Sequence, residues 1–196
     1  ENNFDAIGMM VSSGVAEHFL PEAVTPILLE RLMWLETSAM KFETIGVDPI
    51  RRLASFLETD ADGARAIAKR LRLSNDQRDQ LIELIEPQWQ ATWDITDDEL
   101  RALLYRLTPS CVIDLCLLEW SRILIDIPRL PREQMDAWLH IIETADAWIA
   151  LDFPLRGRDA LELGLEEGPR ISEVLEEVED WWTTGGCRAD RAACLE

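Results

Sequence analysis

Asp60-Ala61-Asp62 places two carboxylates at a spacing that can share a divalent cation. The pair falls in a stretch expected to be a turn between two helices, where helix capping and solubility account for it. Gly63 follows at once and no later acidic ligands appear, which excludes an EF-hand loop. Cys111, Cys116, Cys187 and Cys194 show no C-x-x-C spacing, and His18 and His140 are far apart, so zinc is not expected. No P-loop, dinucleotide fingerprint or Ser/His/Asp set is present. The residues therefore assign no catalytic group and no metal ligand.

What remains is charge. The chain of 196 residues carries a formal net charge of −19, which opposes generic binding to phosphate. The bases are not evenly spread. Between Asp48 and Leu73 six bases face four acids, leaving −21 on the remainder. Arg65, Lys69 and Arg72 follow i, i+4, i+7 and form one basic stripe on a helix, the first candidate for RNA phosphates. Arg51 and Arg52 on the preceding helix, and Arg156 and Arg158 near the C-terminal turn, are second-rank candidates. The competing reading pairs these arginines with carboxylates of neighbouring helices.

The elements that position these residues read as all-α: a multi-helix body followed by a smaller helical tail. Helices are expected near Phe4 to Ser13 and Val24 to Leu35. Asp48-Pro49 supplies a cap with proline at the first helical position, opening a helix that carries Ile50, Leu53, Ala54 and Leu57. A turn is expected at Thr59 to Gly63, and Ala64, Ile67, Ala68 and Leu71 then make an apolar stripe. Ser74 to Gln77 and Thr96 to Glu99 fit capping boxes, and Thr108-Pro109 opens a long segment to about Asp126. Ile127 to Pro131 interrupts helix with two prolines and sets the division into a body, 1–127, and a tail, 128–196. Pro131 is expected to open a helix to about Leu151. Among eight tryptophans, Trp120, Trp138, Trp148 and Trp181 fall on amphipathic stripes and are expected in the core; Trp89, Trp93 and Trp182 are left open.

No apolar run approaches the roughly 20 residues that span a bilayer. Glu1-Asn2-Asn3 lacks a signal peptide's features, so the expectation is a cytoplasmic protein with no membrane partner. The absence of an initial methionine is read as an expressed fragment, with Leu195-Glu196 native or not. Oligomeric state is open.

The most distinctive segment is Leu155 to Trp182, LRGRDALELGLEEGPRISEVLEEVEDWW. Gly164 closes a short helical turn, Gly168-Pro169 opens the next helix, and Ile171, Val174, Leu175, Val178 and Trp181 recur at the helical period. This arrangement resembles the C-terminal tail of bacterial CCA-adding enzymes and poly(A) polymerases, the tRNA nucleotidyltransferase family. Ser172 and Ala160 depart from its usual glycine and leucine. GVAEHFLPE (14–22), DPIRRLASFL (48–57) and KRLRLSN (69–75) are similar to three further family segments in the family's order, with Ala16 in place of leucine.

The resemblance implies a noncatalytic tRNA-binding and positioning region, downstream of a nucleotidyltransferase head and neck absent from this sequence. In the family that head carries a glycine-rich turn and a strand-borne Asp-x-Asp pair, which binds Mg²⁺ with CTP and ATP. The implied partners are tRNA and the head of the same polypeptide, with no cofactor in this part and no enzyme activity of its own. Two alternatives stay open: the same region of a poly(A) polymerase, or a helical module whose acidic face binds a basic protein.

Overall fold

The computed structural model describes residues 4–39 and 45–195. Glu1-Asn2-Asn3 and Glu196, which entered the expectations above, lie outside them. Among the described residues there are ten α-helices and no β-strand, so the protein is all-α. They are α1 (Phe4–Ser12), α2 (Ile27–Trp34), α3 (Pro49–Ala54), α4 (Ala61–Leu71), α5 (Asn75–Ile85), α6 (Asp97–Arg106), α7 (Pro109–Asp126), α8 (Arg132–Asp146), α9 (Gly157–Glu162) and α10 (Pro169–Thr184). A 3₁₀ turn (Ala16–His18) follows α1, and a π-helical turn (Leu35–Ala39) continues α2.

Local chemistry sets most of the helix starts. The Asp48 carboxylate accepts from the backbone N–H groups of Ile50 and Arg51 at 2.8 and 2.7 Å, with Pro49 filling the first position. Ser74 with Gln77 and Thr96 with Glu99 form complete capping boxes, so two exposed donors are satisfied at each start. Asp60 accepts from the Gly63 N–H at 2.8 Å, which draws Gly63 into α4 rather than leaving it in the preceding turn. Gly164, at φ +93°, closes α9: its N–H donates to the Leu161 carbonyl and that of Leu165 to the Ala160 carbonyl. Those two bonds make a Schellman motif.

The chain forms two compact units, residues 1–93 with 110–146, and residues 94–109 with 147–196. This partition is not the sequential one at 127/128. α8 belongs with the first unit because Trp138, fully buried, stacks on Trp120 of α7 with centroids 6.4 Å apart. α6 belongs with the second, where its Tyr105 meets Trp182 of α10 edge-on at 5.1 Å. α8 also stops at Asp146, short of Leu151, and Trp148 lies in the second unit beneath the Arg101 guanidinium at 5.4 Å.

In the first unit the core is built from Leu29, Leu32, Ile67, Leu81, Val112 and Leu117 together with the tryptophan pair. Within it sits a buried ionic network. Arg51 is 2% exposed. Its guanidinium donates to Asp114 Oδ1 at 2.6 Å, to Glu36 Oε1 at 2.6 and 3.0 Å, and to the Gly46 carbonyl at 2.8 Å. Arg52 donates to the other Glu36 oxygen, and Gln80 of α5 to the other Asp114 oxygen. Burial pushes the Asp114 carboxyl above its ordinary range, against the pull of Arg51 and Gln80.

In the second unit Trp182, Leu155, Cys187 and Cys194 form the centre, with Phe153, Leu175 and Val178 packed against it. Trp181, expected inside, is 55% exposed, and Trp182 is 3% exposed. Helical geometry explains the exchange. At about 100° per residue, the eleventh step from Ile171 returns within about 20° of it, whereas the tenth falls about 80° away. The Trp182 indole N–H donates to the Ala189 carbonyl at 2.8 Å.

Asp159, 2% exposed, accepts from Arg191 at 2.6 Å and from the Arg156 N–H at 2.6 Å. Hydrogen bonds from Arg191 hold its carboxyl below the usual range. Two outcomes follow from these clusters. Asp114→Ala, which leaves Arg51 buried without one anion, lowers unfolding free energy by about 3 to 5 kcal/mol in urea titrations; Asp136→Ala, at an exposed pair on α8, changes it by less than about 0.5 kcal/mol. The Asp159 contribution is complete above the unfolded carboxylate pKa near about 3.9 and is lost as pH falls through its lowered folded value. Arg191→Gln therefore lowers stability at pH 7 and flattens its decline below about pH 4 in acid titrations followed by circular dichroism.

Candidate nucleic-acid interface

α4 presents its apolar residues Ala64, Ile67 and Ala68 to the core, which leaves Arg65 and Lys69 exposed. Lys69 and Arg70 occupy the last turn, where cations interact favourably with the helix carbonyls. The four bases of this segment are nevertheless in different states. Arg70 is tied down: its two terminal nitrogens donate to both Glu22 oxygens at 2.8 and 2.9 Å, and one also to the Phe19 carbonyl at 3.1 Å. That hydrogen bonding holds the Glu22 carboxyl below its ordinary range. Arg65 makes one bond, to Asp62 Oδ1 at 2.6 Å, in an exposed i,i+3 pair. Lys69 and Arg72 are exposed and make no ion pair among the described residues.

Arg72 is also unusual in its backbone. The helix ends at Leu71, so Arg72 does not continue the stripe in helical register; it sits in the left-handed region at φ 57°, ψ 41°. The Leu73 N–H donates to the Ala68 carbonyl at 2.9 Å and the Arg72 N–H to that of Lys69 at 3.3 Å. This is the same Schellman closure as at Gly164, with arginine where glycine has no Cβ penalty.

The structure thus brings Arg65, Lys69 and Arg72 to one helix and its C-terminal cap. It does not bring Arg51 to a surface: the guanidinium is consumed by Glu36, Asp114 and Gly46, and phosphate contact by Arg51 is corrected on that ground. Arg52 is half-buried and committed to Glu36. Arg156 and Arg158 belong to the second unit and are exposed; Arg158 lies 4.0 Å from Asp159.

Sequence reasoning missed Glu36 and Asp114 as the partners of Arg51. The available signal was Asp114 itself, an acid flanked by Val112, Ile113, Leu115 and Cys116 on an otherwise apolar run. It assigned Asp62, with Asp60, to helix capping and solubility and missed its pairing with Arg65.

Asp60 is a helix cap, as expected. All four cysteines are free thiols; burial pushes Cys111 up to about 12 and raises Cys116, Cys187 and Cys194, which disfavours the nucleophilic thiolate. Among the described residues no group of three or more His, Cys, Asp or Glu side chains is placed to hold a metal ion. No helix among them is long and apolar enough to cross a membrane.

No protein-family model matches the chain. A segment of 101 residues, 52% of the chain, is 36% identical to a protein of Rhodospirillum rubrum described as an uncharacterized 28 kDa protein in the petA 5′ region. The match spans 39% of that relative's length.

The strained cap carries its own expectation. Arg72→Gly removes the left-handed penalty while keeping both closing hydrogen bonds, and raises unfolding free energy by about 0.5 to 1 kcal/mol. Urea denaturation of the variant beside the wild type reads this directly.

Proposed function

We propose that this chain is a noncatalytic tRNA-binding and positioning region of a tRNA nucleotidyltransferase that adds CCA to tRNA 3′ ends. Two kinds of support meet at one place. Four segments similar to the family's, in its order, are distributed between residues 14 and 182, and one of them, KRLRLSN, contains the end of α4, its cap and the start of α5. The carrying observation is that Lys69 and Arg72, within that segment, are exposed and have no carboxylate partner among the described residues, in a protein of net charge −19. Arg129, Arg156 and Arg170 are also exposed without an ion pair among the described residues, but Lys69 and Arg72 lie three residues apart, and two such cations close together favour an external anion. Phosphate contacts position a nucleic acid without reading its sequence. That suits a region whose task is orientation, where distant contacts lower the entropic cost of bringing a 3′ end to an active site.

In this reading the partner is tRNA, and the catalytic head of the same polypeptide supplies Mg²⁺ with CTP and ATP. The helices described here bind and orient the substrate and move no proton. The full 196-residue chain should bind fluorescently labelled tRNA with an affinity that falls steeply with salt. Lys69→Glu/Arg72→Glu weakens that binding at least about tenfold and reduces the slope of log K against log salt by about 1.4 to 1.8, the loss of two phosphate contacts. Unchanged affinity and slope in that variant would remove α4 from the interface. Absence of tRNA binding by the wild-type chain, with retention of a basic protein instead, would replace this reading by an acidic protein-interaction module.

A further inference from the structure

We propose that Asp62 is an internal competitor for the RNA phosphate at the α4 site, holding Arg65 in reserve until a phosphate displaces it. This inference rests on the reading of α4 as an RNA contact. Arg65 lies one turn before Lys69, about 6 Å along the helix axis, and is the third candidate base of α4 and its cap. Unlike Lys69 it is occupied: its Nη1 donates to Asp62 Oδ1 at 2.6 Å, with the two side chains 55% and 92% exposed. One bond between groups so open to water is held weakly, because solvent screens the pair. An RNA phosphate offers the same guanidinium two non-bridging oxygens, a bidentate acceptor pair, in place of the single bond to Asp62.

The neighbouring residues narrow the role of this pair. Capping at the start of α4 is performed by Asp60, whose carboxylate accepts from Gly63, so Asp62 is not needed there. Arg70, two residues from Arg72, shows what a structural pair in the same helix looks like. It is doubly bonded to Glu22, is further anchored on the Phe19 carbonyl, and joins α4 to a distant segment. The Asp62–Arg65 pair joins nothing; it spans three residues of one helix. Asp62 thus does little for the fold, yet it neutralises one of the three candidate cations of α4 and its cap. The consequence is a tuned affinity: Lys69 and Arg72 make the first contacts, and Arg65 is recruited only by an anion able to displace a carboxylate. Such an arrangement weakens nonspecific binding and quickens release of the RNA.

The test uses the full chain with labelled tRNA, measured by anisotropy over a salt series. Asp62→Asn tightens binding about threefold or more and steepens the salt slope by about 0.7 to 0.9, one additional phosphate. Asp62 lies in the first turn of α4, where a carboxylate favours the helix, so the same variant melts at a slightly lower temperature. Tighter binding from a less stable protein is a combination that a purely structural role does not produce. Asp136→Asn on α8 removes an identical charge from another exposed arginine pair and leaves affinity unchanged. If Asp62→Asn binds no tighter while Lys69→Glu/Arg72→Glu still weakens binding, the competitor role is overturned and the RNA site stands. Equal tightening by Asp136→Asn also overturns it, since general repulsion then suffices. If the wild-type chain binds no tRNA, both readings fall together.

Discussion

The guanidinium of Arg51 is the constraint around which the first unit is organised. A buried cation loses several kcal/mol of hydration, which is regained only when every donor finds a well-placed acceptor. Here the acceptors come from widely separated places: Glu36 from the π-helical turn after α2, Asp114 from the middle of α7, and the Gly46 carbonyl from the approach to α3. Gln80 of α5 satisfies the second Asp114 oxygen, and Arg52 the second Glu36 oxygen. The network therefore ties α3, α5, α7 and the end of α2 into one register. A slip of any of them strands a charge, and no apolar contact in the core carries so large a penalty for misplacement.

That network also decides which cations are left for a ligand. The basic segment from Asp48 to Leu73 looks uniform by composition, but its six bases divide once their partners are in place. Arg51, Arg52 and Arg70 hold the protein together, Arg65 is loosely engaged, and Lys69 and Arg72 make no ion pair among the described residues. A patch of six shrinks to a pair with one reserve. In a protein with twice as many acids as bases, availability of a cation is a stronger discriminator than its mere presence.

The second unit follows a different logic. Its centre is the aromatic and thiol cluster around Trp182, and Asp159 with Arg191 fastens the C-terminal residues to α9. The glycine-bounded turn from α9 to α10 that draws the eye in the sequence serves this packing. Glu173, Glu176, Glu177 and Asp180 are exposed on α10. Repulsion from such a surface disfavours phosphate.

Caps, stops and helical periods were legible in the residues because each depends on groups within a few positions. Asp48, Ser74 and Thr96 satisfy donors two or three residues away, and Gly164 closes α9 by bonds that span three and five residues. The all-α class followed from those signals. The fate of a charged or aromatic side chain did not, because it is decided by partners far along the chain. Arg51 meets an acid 63 residues away, and no local pattern distinguishes it from Lys69. Trp181 and Trp182 differ by one helical step of about 100°; the period from Ile171 puts Trp182 on the apolar face, and Tyr105 and Phe153 are the partners that cover it. The sequence alone determined the all-α class and where the capped helices begin; the tertiary structure decided which of their charges are spent inside the protein and which remain for a partner, since burial and pairing are properties of the assembled chain.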